Sequence, residues 1–405
     1  MNRTQNIAFL GDIHISFTIW ERYRQITGDS QFALNEMIRT CDENGIQHLV
    51  LLGDIFDTPD PHPALVKMFR EFIDSCACAG ISLYCIQGNH DRRVVPWPTA
   101  ISDDLRWIGD GNPVEIAGTT VVGFDYQNRD AIAESLSRLG AQDIKVDVLC
   151  MHQAAKQYLD IEGCWNVDLE WVPDNVKDIF LGDIHDPCSG EVDSHRWFYT
   201  GASHTRSITE AKHAKSLLVR TPEGEVSRLQ FRCRPIKSFA MDGTNKDVIL
   251  AEIRNWLYEK IAQEPPLPPV IYLTHDVSFT AAPELVDDII KSAKGEAFLF
   301  TRSVGSRQGG GVEFDVAAAL DDVPSVQGFI PGFFDPEKSP LEHGLALDLL
   351  DGTAGKEGIN AKIEHARLRF LQNRNPSPNL PVIGPDHFKH RDAVANTSTE
   401  DEDLF

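Results

Sequence analysis

The stretch that decides the fold is HLVLLGDIFD, residues 48–57, in which an apolar run ends at a glycine and acidic side chains follow at once. Four other segments also end an apolar run with Asp, Asn or His, three of them directly after a glycine: NIAFLGDIH (6–14), ISLYCIQGNHD (81–91), VDVLCMH (146–152) and KDIFLGDIH (177–185). Continuous apolar runs are typical of strands that are buried on both faces of a sheet. Because ligands of open α/β sheets bind beyond the carboxyl ends of the strands, the five strand ends are expected to converge on one site.

The segments between these runs have helical periodicity. Leu34, Met37, Ile38 and Cys41 recur at i, i+3, i+4 and i+7, and a second amphipathic helix is predicted to begin at Pro63. Strands that alternate with helices predict an α/β domain in the first half of the chain.

The pattern changes after residue 199. Residues 216–236 predict a hairpin that turns at Pro222–Gly224. A second, smaller α/β pattern follows, with the predicted elements helix Val248–Ile261, strand Val270–Thr274, helix Pro283–Ala293 and strand Ala297–Thr301. These elements predict a separate small domain.

Beyond residue 303 the chain is interrupted by Gly and Pro and ends in the acidic stretch TSTEDEDLF. Short helices are predicted at 339–350 and 361–371, and the second of them carries cations beside a narrow apolar stripe. These patterns divide the chain into the segments 1–237, 238–303, 304–372 and 373–405, and the last of them is expected to be disordered.

The composition is that of a globular protein with a strong acidic excess. Of 405 residues, 38 are Lys or Arg and 61 are Asp or Glu, which gives a formal charge of −23. Such a chain should not bind nucleic acid non-specifically, because phosphate binding relies on positive charge. Bound metals or a partner would have to supply that charge.

No run reaches the ~18 apolar residues of a membrane span, and no signal peptide is recognisable, so a cytoplasmic protein is expected. The eight cysteines have no zinc-site spacing and are expected to be reduced.

The residues at the five strand ends are metal-ligand types. Asp oxygen and His nitrogen together suit borderline divalent ions such as Mn, Fe and Zn. A carboxylate that bridges two such ions allows them to clamp a phosphoryl group during its displacement. Each motif alone is typical of a turn with an N-cap Asp or a structural histidine, but five in succession, each after a strand, favour a metal site.

The order GDIH, GDIFD, GNHD, MH, GDIH resembles the signature of calcineurin-like metallophosphoesterases. GDIFDTPDP followed by QGNHD, together with YTGASHTRSITE (199–210), is similar to the SbcD-type DNA nucleases, the partners of SMC-like ATPases. This resemblance implies an α/β fold with a metallophosphoesterase β-sandwich core flanked by helices, a small α/β capping domain and a C-terminal helical arm. The segments of the chain would then be a catalytic domain (1–237), a capping domain (238–303), a linker with a helical partner-binding region (304–372) and a linker with an acidic disordered tail (373–405).

The resemblance also implies roles for individual residues. One metal would take Asp12, His14, Asp54 and His185, and the second would share Asp54 and take Asn89 and His152. His90 would be the catalytic acid, and Asp91 would orient it.

The sequence departs from the family pattern at Asp183. The last motif of the family usually reads Gly-His-x-His, and here Asp183 stands in place of the first His. Asp is a competent ligand, and alternation in an extended chain would point Asp183 and His185 the same way. The second site becomes harder and more anionic, which favours Mn, with Mg as the alternative, over Zn.

Candidate substrate contacts are Arg92, Arg93, His204 and Arg206. For Arg92 and Arg93 a solvated loop is an equal alternative. Arg232, Arg234 and Lys237 form a basic patch that is either a DNA contact or a solvated strand face.

The function expected from the resemblance is a two-metal DNA nuclease that acts with an SMC-like (SbcC-type) ATPase in repair or recombination, as a homodimer within a larger complex. No membrane association is expected. The GDIH variant suggests a phage-encoded relative acting in the host cytoplasm.

Two alternatives remain open. One is a small-molecule phosphodiesterase or protein phosphatase of the same superfamily. The other is a non-catalytic scaffold, and the intact His90 argues against this second alternative.

Overall fold

The computed structural model describes residues 4–304, apart from 19–25, 92–97, 159, 162, 266 and 294–295. Its strands are β1 Thr4–Leu10, β2 Ile46–Leu52, β3 Ser82–Ile86, β4 Leu105–Trp107, β5 Asp110–Ile116, β6 Thr119–Phe124, β7 Val146–His152, β8 Val176–Gly182, β9 Cys188–Val192, β10 His195–Tyr199, β11 Ser216–Arg220, β12 Val226–Gln230, β13 Ile236–Met241, β14 Val270–Asp276 and β15 Phe298–Val304. Its helices are α1 Asp29–Glu43, α2 Pro63–Ala79, α3 Pro98–Ile101, α4 Arg129–Gly140, α5 Lys246–Ala262 and α6 Ala282–Ser292. The helices predicted beyond residue 303 lie outside the described residues.

The catalytic domain is built on two six-stranded sheets. Their strand orders are β12-β11-β1-β2-β3-β4 and β5-β6-β7-β8-β10-β9, and both combine parallel and antiparallel pairs. The sheets pack face to face, with Phe9 of β1 stacked on Phe180 of β8 at a centroid distance of 4.0 Å. The outer face of the first sheet is covered by α1 and α2, and that of the second by α4. The predicted β-sandwich flanked by helices is therefore confirmed.

The continuous apolar runs follow from this layering. In β1, Ile7 and Phe9 face the opposite sheet, whereas Ala8 and Leu10 face the helices, and all four are buried. Both faces of such a strand must be apolar, which is why strict alternation is absent from the sequence.

The predicted helix and turn signals are found where expected. Helix α2 begins at Pro63, where the missing N–H costs nothing, and Nδ1 of His62 accepts a hydrogen bond from the backbone of Ala64. Strands β11 and β12 form the predicted hairpin, with Arg220 paired to Val226 across the turn.

A small three-stranded sheet follows the catalytic domain. Strands β13, β14 and β15 are parallel, and α5 and α6 pack on them around their own apolar core. The predicted helices and strands all occur here, but β13 was not predicted, and the expected boundary between residues 237 and 238 falls inside it. The division of the chain into domains stays a prediction.

The segment that leads into β13 is tied to helix α1 by arginines. Arg234 is buried, pairs with Asp29 at 2.9 Å and donates to the backbone oxygens of Thr27 and Pro268. Arg232 pairs with Glu36 at 2.7 Å. Arg234 therefore has neither of its predicted roles, DNA contact or part of a solvated strand face. All of its guanidinium contacts are with residues that lie far away in the sequence.

The described part of the chain contains no helix that is both long and apolar enough to cross a membrane.

Candidate metal centre

The carboxyl ends of strands from both sheets meet at one place. β1, β2 and β3 are neighbours in the first sheet, and β7 and β8 are neighbours in the second. The last residue of β7 and the loops after the other four strands carry all the predicted ligands, which are Asp12, His14, Asp54, Asn89, His152, Asp183 and His185. Convergence of the five strand ends, expected from the sequence, is thus found in the structure.

A first cluster consists of Asp12, His14 and His185. Their ligand atoms all lie within 4.8 Å of one another. Nε2 of His14 and Nε2 of His185 are 3.1 Å apart. Two ligands bound ~2.1 Å from one ion at right angles are ~3 Å apart, so this spacing fits a shared cation.

A second cluster consists of Asp54, Asn89 and His152. Nδ1 of His152 lies 2.7 Å from the backbone oxygen of Leu52. With its Nδ1–H donated there, the ring directs its Nε2 lone pair at the cluster, 3.4 Å from Oδ1 of Asp54. The Asn89 side-chain oxygen lies 3.1 Å from the same Nε2.

Asp54 lies between the two clusters. Its Oδ2 is 3.4 Å from Nε2 of His14, and its Oδ1 is 3.4 Å from Nε2 of His152. Each carboxylate oxygen therefore faces a different histidine, which is the arrangement that a bridging ligand requires.

Asp183 and His185 serve different clusters. Oδ1 of Asp183 is 3.7 Å from Nε2 of His152, whereas His185 faces His14. The argument from an extended chain does not hold here, because β8 ends at Gly182 and Asp183 has φ 89°. The turn separates the two side chains, and Asp183 is left near the second cluster.

Unsatisfied polar atoms indicate that these residues fit cations. Among the described residues, the buried Oδ2 of Asp12 has no hydrogen-bond partner. The Asn89 oxygen faces both Asp54 oxygens and His152 Nε2, each at 3.1 Å. An amide oxygen at this position has only acceptor atoms around it, so it is stabilised only by a cation that these acceptors share. When the amide is turned by 180°, its NH2 group donates hydrogen bonds to the same three atoms. Burial raises the pKa of Asp12 to about 6, and a nearby cation would restore its ionised form.

The backbone is strained at the ligands. Seven described non-glycine residues have positive φ, and four of them are the predicted ligands Asp12, His14, Asp54 and Asp183. Such conformations cost on the order of 1 kcal/mol each and are found mainly where function requires them. Gly88 allows the backbone to approach a predicted ligand closely, because a Cβ there would lie 2.0 Å from Oδ1 of Asp54.

His90 lies beside the first cluster. Its ring is 5.0 Å from the ring of His14, and its Nδ1 is 2.6 Å from the backbone oxygen of Asp57. Asp91, expected to orient His90, accepts instead from the backbone N–H groups of Ile55, Phe56 and Gly88. Asp91 thus acts on His90 indirectly, because it holds together the loops that follow β2 and β3.

Two carboxylates at the site escaped the sequence reasoning. Oδ1 of Asp57 lies 3.4 Å from Nδ1 of His14 and pairs with the guanidinium of Arg206. Oε1 of Glu210 lies 2.9 Å from Nδ1 of His185, which leaves Nε2 of that ring for a metal. Burial opposes ionisation of Glu210, but the His185 ring, the backbone N–H of Arg206 and the charge of Lys215 together outweigh burial and lower the pKa of Glu210 to about 2. Both residues lie within quoted motifs, GDIFD and RSITE, which was the available signal.

The predicted substrate contacts fall in different places. Arg206 reaches the site, where it is paired with Asp57. His204 is fully buried, and its Nδ1 contacts the hydroxyl of Ser203. Arg92 and Arg93 lie outside the described residues.

Substitution Asp183→Ala is expected to weaken one metal site selectively, because this carboxylate faces only the second cluster. Titration with Mn should then show one of two binding steps weakened by at least about 10-fold. Asp183→His, which restores the residue usual in the family, should keep both steps. Two unchanged binding steps in Asp183→Ala would show that Asp183 is not a ligand.

Comparison with known proteins agrees with this site. Residues 5–205 match the family model described as calcineurin-like phosphoesterase. The DNA double-strand break repair protein Mre11 of Sulfurisphaera tokodaii is 25% identical over 197 residues, 46% of this chain and 50% of that protein. Mre11 of Thermoplasma acidophilum is 25% identical over 249 residues, 56% of this chain and 65% of that protein.

The chain spans about half the length of the first of these curated relatives. A solved dimetal phosphatase of Danio rerio aligns with 57% of this chain and 96% of its own at 11% identity and a TM-score of 0.37, too slight a likeness to support an argument. The family match covers the strands and loops that carry the candidate ligands, and on this basis residues 5–205 form a calcineurin-like phosphoesterase domain.

Proposed function

We propose that this protein is a two-metal-dependent DNA nuclease that hydrolyses phosphodiester bonds. The observation that carries the proposal is the position of Asp54, which directs one oxygen at each of two ligand clusters. A single-ion site needs no such arrangement. All phosphoesterases of this type share the chemistry, so the DNA substrate rests on further support.

The site residues have separable tasks in this mechanism. Two divalent cations at these ligands would neutralise charge on the phosphodiester and activate water as the nucleophile. His90, with Nδ1 fixed on the Asp57 oxygen, would present Nε2 to the leaving oxygen and protonate it. Arg206 holds the Asp57 carboxylate, so the loop that fixes His90 is itself fixed.

DNA as the substrate is supported by the relatives, which are named DNA double-strand break repair proteins. The small domain of β13–β15, α5 and α6 also favours a large substrate, since a small-molecule hydrolase does not need it. The Asp183 carboxylate makes the second ligand set harder, which supports Mn, with Mg as the alternative, over Zn.

The decisive experiment is incubation of the full chain with linear double-stranded and single-stranded DNA, with Mn and with excess EDTA. Cleavage is expected with Mn only, and it should return when Mn is restored to the chelated protein. A model phosphomonoester and a model phosphodiester are tested in parallel. Cleavage of the small esters but not of DNA would favour the small-molecule hydrolase, and undiminished DNA cleavage in EDTA would exclude the metal mechanism.

The partner assignment stays a proposal, as do the homodimer, the cytoplasmic location and the phage origin. Residues 304–372 are proposed to bind an SMC-like ATPase through the apolar and basic helix at 361–371. Removing residues 304–405 should abolish co-purification with a co-expressed ATPase and spare Mn-dependent hydrolysis of a small phosphodiester. If the shortened chain still bound the partner equally well, the small domain would become the expected docking surface.

A further inference from the structure

Two exposed aromatic rings lie on the loops that carry the metal ligands. In the described part of the chain, the large apolar side chains that are exposed in the catalytic domain are Phe17 (49%) and Tyr158 (36%). The others belong to the small domain. A single exposed apolar residue needs no explanation, but both of these lie on segments that directly follow candidate metal ligands.

Phe17 follows the ligand His14 by three residues, so its Cα lies within ~11 Å of that of His14. Its backbone is held on both sides. Ser16 accepts from and donates to the hydroxyl of Ser30 on α1, and the Ser16 hydroxyl donates to the backbone oxygen of Thr18. The ring packs edge-on against His62 at a centroid distance of 5.3 Å. Phe17 is thus a pre-positioned aromatic surface that solvent can reach.

Tyr158 is held in a comparable way on the loop that follows the ligand His152. Its hydroxyl lies 3.3 Å from Oδ2 of Asp186, the neighbour of the ligand His185. Its ring lies 5.8 Å from that of the buried Tyr199. The ring is therefore fixed from behind while more than a third of the residue remains exposed.

The charges around the site favour binding of DNA bases by aromatic rings over binding of phosphate by cationic side chains. The chain carries a net charge of −23, and Arg206, the described arginine at the site, is neutralised by Asp57. Arg232 and Arg234 are paired with carboxylates of α1. Among the described residues, these three arginines therefore offer little charge to phosphate, whereas stacking on bases depends little on charge and is sequence-tolerant.

We propose that Phe17 and Tyr158 stack against unpaired bases that flank the phosphate held at the metal centre. This inference rests on the proposed nuclease function and names the side chains that would hold its substrate. It predicts that unpaired bases, more than phosphate contacts, supply the affinity.

The test is a double-substitution cycle between protein and DNA. Full-length wild-type protein and Phe17→Ala are compared, with Mn, on a short oligothymidylate and on the same oligomer with abasic sites at the bases flanking the cleaved bond. Phe17→Ala should raise KM for oligothymidylate on the order of 10-fold or more. On the abasic oligomer the KM values of the two proteins should agree within about 2-fold, because the base that stacks is already missing.

Control variants separate stacking from structural effects. Phe17→Tyr should restore most of the affinity and Phe17→Leu should not, since only the first keeps a π face. Tyr258→Ala, which removes an exposed ring from α5, should have no effect. Tyr158→Ala should behave like Phe17→Ala, and Tyr158→Phe like the wild type.

The outcomes of this test separate a failure of the stacking proposal from a failure of the proposed nuclease function. If wild-type protein cleaves neither oligomer with Mn, the proposed nuclease function fails. If it cleaves oligothymidylate and Phe17→Ala has an unchanged KM, or has the same defect on both oligomers, the stacking proposal is overturned and the nuclease function stands.

Discussion

Replacing Asp54 with Ala is expected to remove both metal ions and to lower Mn-dependent phosphodiesterase activity by about 10³-fold or more. The reason is geometric. Asp54 is the carboxylate whose two oxygens face different clusters, at 3.4 Å from His14 and 3.4 Å from His152. Without Asp54, both clusters lose the carboxylate that they share. Metal content per chain, measured by elemental analysis after dialysis, should fall from two toward zero.

Two comparison variants make the Asp54 result interpretable. Asp54→Asn keeps the shape and removes the charge, and it should lose most of the metal as well. Asp74→Ala removes an exposed carboxylate, paired with Arg70 on α2, and should keep both metals and full activity. If Asp54→Ala lost one ion and bound the other normally, Asp54 would belong to a single site.

Replacing His90 with Ala is expected to lower the rate of DNA cleavage by ~10²- to 10⁴-fold while both metals remain bound. The His90 ring lies beside the first cluster, with Nδ1 engaged by the Asp57 oxygen. Its removal takes away a proton donor and leaves every predicted ligand in place.

The leaving group provides the sharper measurement for His90. A phosphodiester that releases a nitrophenolate needs little protonation, so the defect of His90→Ala should be much smaller on that substrate than on DNA. Equal defects on both substrates, with metal content intact, would mean that His90 binds the phosphate and does not donate a proton. A loss of metal similar to that in Asp54→Ala would make His90 a ligand.

Much of the fold was predictable because its signals are local. An apolar run that ends in Asp, Asn or His, in four cases directly after a glycine, identifies a buried strand and the residue at its end, and five such runs indicated the sheets and the candidate ligand positions together. Pro63 and the turn at Pro222–Gly224 also act within a few residues of themselves, and both were found as predicted. Residues beyond 304 lie outside the described part, so the arm and tail stay predictions.

Other assignments depended on contacts between distant segments. Arg234 has the sequence signature of a DNA-binding cation, yet Asp29, 205 positions away, takes up its charge. Strand β13 was not recognised, since it forms its pairs with β14 at residues 270–275. No local pattern indicates which remote carboxylate or strand a residue will meet.

The sequence by itself determined the ligand types, their attachment to strand ends and the family, because each of these is a property of a few consecutive residues. Only the tertiary structure decided how the ligands divide. It directed Asp183 toward His152 and His185 toward His14, set Asp54 between them, and supplied Glu210 and the Asp57 oxygen to orient two histidines. The physical reason is that hydrogen bonds and coordination act over about 3 Å, and only the packing of the two sheets brings side chains from separate loops within that distance.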